Sequence, residues 1–385
     1  MSAKRILTTH AGSLPRPQRL VELYADRISG AVVDDAELVR EAEAATRWVV
    51  ERQREAGIDI PSDGEQLREA FFLYVQRRMT GFSGVWQRPA RTELDDYPEF
   101  AAQLRNAEAR KIAVSNRVPP KATGPVGYSD PDANLAELDT FAAALKEAGG
   151  DFTDAFMTAP SPGIVATAMK NEFYASEDDY LDALSEALRV EYEAAHQYGY
   201  LLQIDAPDLA MERHFSYADQ SLNTFVDFVE RVIIRINAAV RNVPRERIRL
   251  HVCWGNYESP HDKDVALEAI LPALLQADVG AFLLPFANPR HQHEIKLFRD
   301  APLRAGQSLI VGVIDTQTAF VEHPETIADR LERAAEMVGD PNRIQAGTDC
   351  GFDTSAGMGR LTADVGWAKL KAMKDGAELA SSRLF

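Results

Sequence analysis

Cysteine is nearly absent from this chain: two in 385 residues, Cys253 and Cys350. That excludes a disulfide-built scaffold and leaves two thiols that are expected to stay reduced. Basic runs are also missing. With 42 Lys+Arg against 59 Asp+Glu the net charge is -17, which argues against nucleic acid and anionic membrane surfaces as partners. No stretch approaches the roughly 20 apolar residues of a membrane helix, and the start, Met1 to Ile6, lacks the apolar core of a signal peptide. A cytoplasmic protein is the expectation. Linkers, low-complexity tracts and evident repeats are lacking too, so residues 1–385 are expected to form one domain.

What is present is a series of nine strand candidates separated by helical stretches: 6–10, 57–60, 119–126, 156–163, 200–208, 247–253, 281–288, 309–315 and 343–350. The helical stretches at 34–55 and 177–198 support the alternation, the second with Tyr180, Leu181, Leu184, Leu188 and Tyr192 at helical spacing. Eight strands closing into a (β/α)8 TIM barrel, with one candidate left outside, is the expected fold. Polar residues gather where the strands end: His10, Asp63, Glu65, Asp205, His251, Cys253, Asp315 and Cys350. In a barrel those ends meet at one face, where active sites sit. Between about 76 and 120 the pattern becomes irregular and aromatic (Phe82, Trp86, Tyr97, with Gly81, Gly84, Pro89 and Pro98). A loop of that length is either a lid over a site or a contact in a homo-oligomer.

On a strand, residues i and i+2 share a face, so His251 and Cys253 present an imidazole and a sulfur side by side. With Cys350, the set suits Zn2+ with one coordination position left for a substrate. A substrate thiol entering such a position loses its proton, and the thiolate is the reactive form of sulfur. Small-molecule partners, a thiol and an alkyl donor, follow from that chemistry.

These residues sit in motifs that resemble the cobalamin-independent methionine synthase superfamily, within it the epoxyalkane:coenzyme M transferases and similar single-barrel proteins. The motifs are Thr8-Thr9-His10-Ala11-Gly12-Ser13-Leu14-Pro15, Asp63-Gly64-Glu65, Gln203-Ile204-Asp205, His251-Val252-Cys253, Asn288-Pro289-Arg290-His291 and Asp349-Cys350-Gly351. The resemblance implies a UROD/MetE-like barrel and zinc-dependent alkyl transfer to a thiol. Under it, His251, Cys253 and Cys350 match zinc ligands, and Ser13, Glu65 and Asp205 match positions that hold the amino acid part of homocysteine.

Two positions depart from the methionine synthases: Pro285 stands where they place a glutamate zinc ligand, and Gln317 where they place a histidine proton donor. The fourth ligand is then water, the substrate thiol, or a neighbour such as Glu294 or His291. The departures favour opening of an epoxide by coenzyme M, with methyl transfer from a methyltetrahydrofolate-type donor as the alternative. Candidate acids are His291, His293 and Tyr257. His10, Asp315 and Gln317 join the expected substrate pocket, and Arg16 and Arg290 are candidates to pair with a sulfonate or carboxylate. Two competing readings use the barrel differently: decarboxylation, as in the uroporphyrinogen decarboxylase branch, and non-catalytic zinc or thiol carriage.

Overall fold

The computed structural model describes residues 4–108 and 111–385. Its strands are β1 (Met79–Ser83), β2 (Lys121–Tyr128), β3 (Phe156–Pro160), β4 (Leu201–Asp205), β5 (Ile248–His251), β6 (Ala281–Pro285), β7 (Ser308–Ile314) and β8 (Ile344–Thr348). β3 to β8 pair in parallel in chain order. Their residues are almost all buried, as parallel strands covered on both faces require.

The ring closes through two irregular staves. Thr9 N donates to Ala346 O at 2.9 Å and Ala346 N to Leu7 O at 2.8 Å, which joins 7–9 to β8. Asp59 and Ile60 donate their N–H to Thr8 O, both at 3.1 Å, and Phe156 N donates to Pro61 O at 2.9 Å, which joins 59–61 to both neighbours. The Asp59 carboxylate causes the irregularity, because it accepts from Thr8 N (2.9 Å) where a regular ladder would place a carbonyl. The barrel is therefore the eight-stranded (β/α) fold expected.

The candidate left outside is 119–126. Its residues run into β2, which pairs antiparallel with β1 as a hairpin beside the barrel, with Met79 opposite Tyr128 and Ser83 opposite Lys121. A buried ionic knot ties the hairpin down. Glu137 accepts from Arg68 (2.7 Å) and Arg78 (2.6 Å), and Arg78 donates to Glu191 (2.8 Å).

Beyond β1 the chain crosses the carboxyl-end face of the barrel. Trp86 Nε1 donates to Ala168 O (2.9 Å), Arg88 pairs with Glu212 (2.8 Å), and Tyr97 Oη donates to Asp262 (2.9 Å). The helices carry the sequence signals expected of them. Asp34 caps the helix Asp35–Ala56 and Ser176 caps Glu177–Gln197, each through its side chain. The helix Leu222–Ala239 buries Phe225, Phe228, Val229, Val232, Ile233 and Ile236 on one face. No helix among the described residues is long and apolar enough to cross a membrane.

Candidate active site

A polar layer inside the barrel sets the floor of the site. Arg249, two residues before the end of β5 and buried, donates to Gln203 Oε1 (2.7 Å), Thr9 Oγ1 (3.0 Å) and His10 O (2.5 Å), with its guanidinium 3.9 Å from the Phe156 ring centroid. Burial lowers its pKa to about 9. Gln203 in turn donates to Ala11 O and to Asp205 Oδ1, both at 2.7 Å. Asp205 is thus fixed before it meets the next strand, where it stands beside His251 in the β4–β5 register.

His251 Nδ1 lies 2.9 Å from Asp205 Oδ1, and Cys253 Sγ lies 3.8 Å from Cys350 Sγ. One ligand atom from each of His251, Cys253 and Cys350 falls within 4.8 Å of the other two, and all three residues are buried. Two sulfurs at tetrahedral zinc, with bonds of about 2.3 Å, stand about 3.8 Å apart. The sulfur spacing therefore fits the metal without movement. With Nδ1 on a carboxylate, Nε2 is the nitrogen left for a metal, the common arrangement behind histidine ligands.

Cys350 as hydrogen-bond partner and the adjacent His251 pull the Cys253 thiol well below its ordinary range despite burial. Burial pushes His251 down, but the Cys253 charge and Asp205 outweigh it and raise the imidazole to about 10.

Above the cluster opens a cavity of about 200 Å³. Ser13, Glu65 and Asp205 line it beside the cluster, Phe71, Phe72, Met211 and Phe215 form an apolar wall, and Gln87 to Arg91 with Asn116 and Arg117 come from the crossing loop. The irregular segment is a cover over the cavity. Ser13 Oγ and Glu65 Oε2 are buried without hydrogen-bond partners among the described residues. Buried polar atoms are rarely left so, and here they face a cavity a polar ligand can fill. Gly351 is required for this: a Cβ there would fall 2.0 Å from Ser13 Oγ. Glu65 sits at φ 59°, a left-handed conformation uncommon for a non-glycine residue and frequent at functional sites. Burial, and then Asp205, raise its carboxyl to about 8.

Several expected site residues stand elsewhere. His10 lies beneath the floor, with Nε2 2.7 Å from Gln53 Oε1, and burial lowers it to about 3. Arg16 is a strut outside the cavity lining: Nη1 donates to Asp353 O (2.5 Å) and Oδ2 (3.0 Å), and Nη2 to Glu65 O (2.8 Å) and Arg68 O (2.9 Å), so it holds the Asp63–Glu65 turn. Arg290 is spent on Asp264 (3.0 Å). His291 is clamped between Asp264 (2.9 Å) and Glu294 (2.7 Å) and stacked 3.9 Å from the Trp254 centroid, outside the cavity lining.

Glu294 also accepts from Leu267 N (2.7 Å), so neither it nor His291 stands as a fourth ligand. His293 is exposed on the 3-10 helix Gln292–Arg299. Asp315 accepts from Gln317 N (2.8 Å), and Gln317 donates to Asn256 Oδ1 behind the lining, so both are one layer removed from it. Tyr257 does line the cavity.

Sequence reasoning missed Asn256, Arg88, Arg91 and His214, which come from loops without periodicity. It also passed over Asp208 as one of several acids after β4. Asp208 is fully buried, accepts from Ser161 Oγ (2.6 Å), and is raised by burial to about 8. Gly163 makes room for it, since a Cβ there would lie 2.0 Å from Asp208 Oδ2.

No protein-family model matches the chain. It is 26% identical over 380 residues to the methionine synthase of Thermococcus kodakarensis, spanning 98% of this chain and 94% of that one. To the methionine synthase of Sulfolobus acidocaldarius it is 26% identical over 352 residues, 90% and 85% of the two chains. Among solved structures, a B12-independent methionine synthase from Shewanella sp. W3-18-1 in complex with selenomethionine aligns over 99% of both chains with a TM-score of 0.71 at 22% identity, which supports the fold. Full-length similarity of this kind supports the superfamily resemblance. Particular closeness to the epoxyalkane transferases rests on the motifs alone.

Proposed function

We propose that the protein is a zinc-dependent transferase that places a methyl group on the thiol of a small amino acid, in the manner of a cobalamin-independent methionine synthase. The observation that carries this is the juxtaposition of two features in one cavity: a His251, Cys253 and Cys350 cluster with tetrahedral sulfur spacing, and the partnerless Ser13 Oγ and Glu65 Oε2 beside it. Zinc held there would supply a Lewis acid that lowers the pKa of a thiol bound to it.

The residues do the rest. His251, Cys253 and Cys350 would hold the ion, and Asp205 orients His251 through Nδ1. Glu65 and Ser13 receive the polar head of the thiol substrate, an ammonium on the carboxylate and a carboxylate on the hydroxyl. Phe71, Phe72 and Phe215, under the loop that carries Arg88, keep water away from the reacting sulfur and carbon.

Epoxide opening was the leading expectation because Gln317 replaces an acid. The methionine synthase relatives shift the balance to methyl transfer, and Tyr257 on the cavity wall answers the need for a proton source that Gln317 cannot meet. The test is metal analysis of the purified protein followed by homocysteine binding and methylation. One zinc per chain and methylated homocysteine are expected. A protein that holds no zinc, or that takes up a thiol only with an epoxide as co-substrate, overturns the proposal.

A further inference from the structure

Behind the Tyr257 wall of the cavity stands a second set of metal-ligating side chains that shares no residue with the cysteine cluster. One ligand atom from each of His214, His261 and Asp264 falls within 4.8 Å of the other two. His214 and His261 are buried, and the Asp264 side chain is 6% exposed.

The hydrogen bonds leave a nitrogen of each ring turned to the carboxylate. His261 Nε2 lies 3.0 Å from Tyr257 O, and a carbonyl only accepts, so that nitrogen carries a proton and Nδ1 is the one facing Asp264 Oδ1 at 3.0 Å. His214 Nε2 is hydrogen-bonded to the Tyr257 hydroxyl. Its Nδ1 is buried without a hydrogen-bond partner among the described residues, although Asp264 Oδ1 is only 3.3 Å away. Burial lowers His214 to about 4, so the ring is neutral near pH 7 and one nitrogen holds a bare lone pair, the form that binds metals.

A separation of 3.3 Å is close to hydrogen-bonding range, so it is direction that denies the bond: Oδ1 stands off the axis of His214 Nδ1. An ion shared by the two atoms needs that offset, because the angle between two bonds at a metal is bent. With metal bonds of about 2.0–2.2 Å to nitrogen and oxygen, the 3.3 Å pair subtends an angle near the tetrahedral value, and the His261 pair has to open by only about 0.3 Å to do the same. The other carboxylate oxygen is already engaged. Asp264 Oδ2 accepts from Arg290 (3.0 Å) and stands 2.9 Å from His291 Nε2, which fixes Oδ1 towards the two histidines as the partners behind a metal ligand do.

We infer that His214, His261 and Asp264 form a second divalent-metal site, a two-nitrogen, one-oxygen set suited to zinc or a similar transition ion with a further position open to water. It has no thiolate, and Arg290 and His291 already draw on its carboxylate. It therefore binds its ion more weakly than the cysteine cluster does: the protein as purified carries one ion, and the second enters on titration. An ion there fastens the turn Met211–His214, which follows β4, to the loop after β5 that carries Tyr257. The crossing segment rests on the same loop, through Tyr97 on Asp262 (2.9 Å) and Glu93 on Ser259. The second ion is a clamp on the cavity wall where the cover lands.

Cobalt counts the two sites separately, because sulfur-to-cobalt charge-transfer absorption requires a thiolate ligand. The metal-free full-length protein is titrated with Co2+ as wild type, as the double variant Cys253→Ala/Cys350→Ala and as His214→Gln. Wild type should take up two equivalents, the first with charge-transfer bands and the second without them. The double variant should keep only the second, and His214→Gln only the first. Saturation of wild type at one equivalent, with none bound by the double variant, overturns the site. A second equivalent that His214→Gln retains also overturns it, since the ion would then lie elsewhere. Glutamine at 214 keeps an amide for the Tyr257 hydroxyl, and the counts on wild type and the double variant decide the matter even if that protein fails to fold. Absence of charge-transfer bands in wild type instead refutes the cysteine cluster, and the proposed function with it, while the equivalent bound by the double variant still decides this site.

Discussion

Replacing Glu137 by glutamine tests how the hairpin and the site are held together. Glu137 is fully buried and takes hydrogen bonds from Arg68 Nε (2.7 Å), Arg68 Nη2 (3.1 Å) and Arg78 Nη2 (2.6 Å). Burial pushes its carboxyl up, but the two guanidinium groups outweigh that and hold it at about 2, against an ordinary 4.5. At about 1.36 kcal/mol per pKa unit the difference corresponds to about 3 kcal/mol. Glutamine leaves Arg68 without its carboxylate partner and Arg78 with Glu191 alone, a loss of about 3–5 kcal/mol. With about 2.1 cal/mol/K of unfolding entropy per residue, the melting temperature should fall by roughly 4–6 °C.

The sign with pH follows from a folded pKa below the unfolded one. The stabilisation is present above about 4.5 and is lost as pH falls towards 2. Asp63, Glu65 and Asp208 run the other way: burial raises them to about 6, 8 and 8, so they gain stability as pH falls to about 4 and are flat below it. The gap between wild type and Glu137→Gln in thermal or urea unfolding should therefore be constant from pH 7 to 5 and shrink below pH 4.5. A gap that stays constant down to pH 3 would refute the charge argument. Function is coupled to it, because Arg68 also donates to Thr158 O (2.8 Å) and Thr158 Oγ1 donates to Glu65 Oε1 (3.1 Å), so the thiol KM should rise in the same variant.

Three further outcomes are expected. Cys253→Ala and Cys350→Ala should each lose zinc on metal analysis while keeping a wild-type circular dichroism spectrum, because the barrel core does not depend on the ion; full zinc retention in both would contradict the cluster. Asp205→Asn should weaken zinc binding about 10–100-fold by freeing His251, measured by chelator competition, whereas unchanged affinity would return Asp205 to a purely substrate-binding role. Glu65→Gln should raise KM for the thiol amino acid about 10- to 100-fold through loss of a charged hydrogen bond and leave the donor's KM unchanged. In wild type that KM should improve as pH rises through about 8, where the carboxyl ionises unaided, and this trend should be absent from the variant.

Much of the fold was legible because it depends on alternation. Buried strands between amphipathic helices leave a periodic trace, and strand ends in a barrel converge whatever their separation in sequence. His251 and Cys253 were legible as a pair two residues apart with only one other cysteine to join them, although β5 ends at His251 and Cys253 stands in the loop that follows and not on the strand as expected. The arginines and histidines misled because a long side chain's partner is not written in its neighbours. Arg16 turns inward to carbonyls of a turn some 50 residues away, with Glu65 and Arg68 as its acceptors. Arg290 and His291 look like parts of a site motif, yet both serve Asp264, which no periodic pattern marks. His214 lies in the irregular turns after β4, where there is no period to read. The hairpin strand at 121–128 resembled a barrel stave because strand composition records burial and pairing without saying which sheet receives them.

The placement of the cover over the cavity has a consequence for how such an enzyme diversifies. Everything from β1 to β2 is one contiguous interruption of the barrel, inserted between its second and third staves, and it supplies Gln87 to Arg91, Asn116 and Arg117 to the cavity. The cysteine and histidine floor comes wholly from staves beyond it, β5 and β8 and the turns that follow them. One contiguous segment therefore contributes part of the cavity lining, while the His251, Cys253 and Cys350 cluster lies in another part of the sequence. On the thiol transfer proposed above, variation confined to residues 79–128 would change this part of the lining while leaving His251, Cys253 and Cys350 in place.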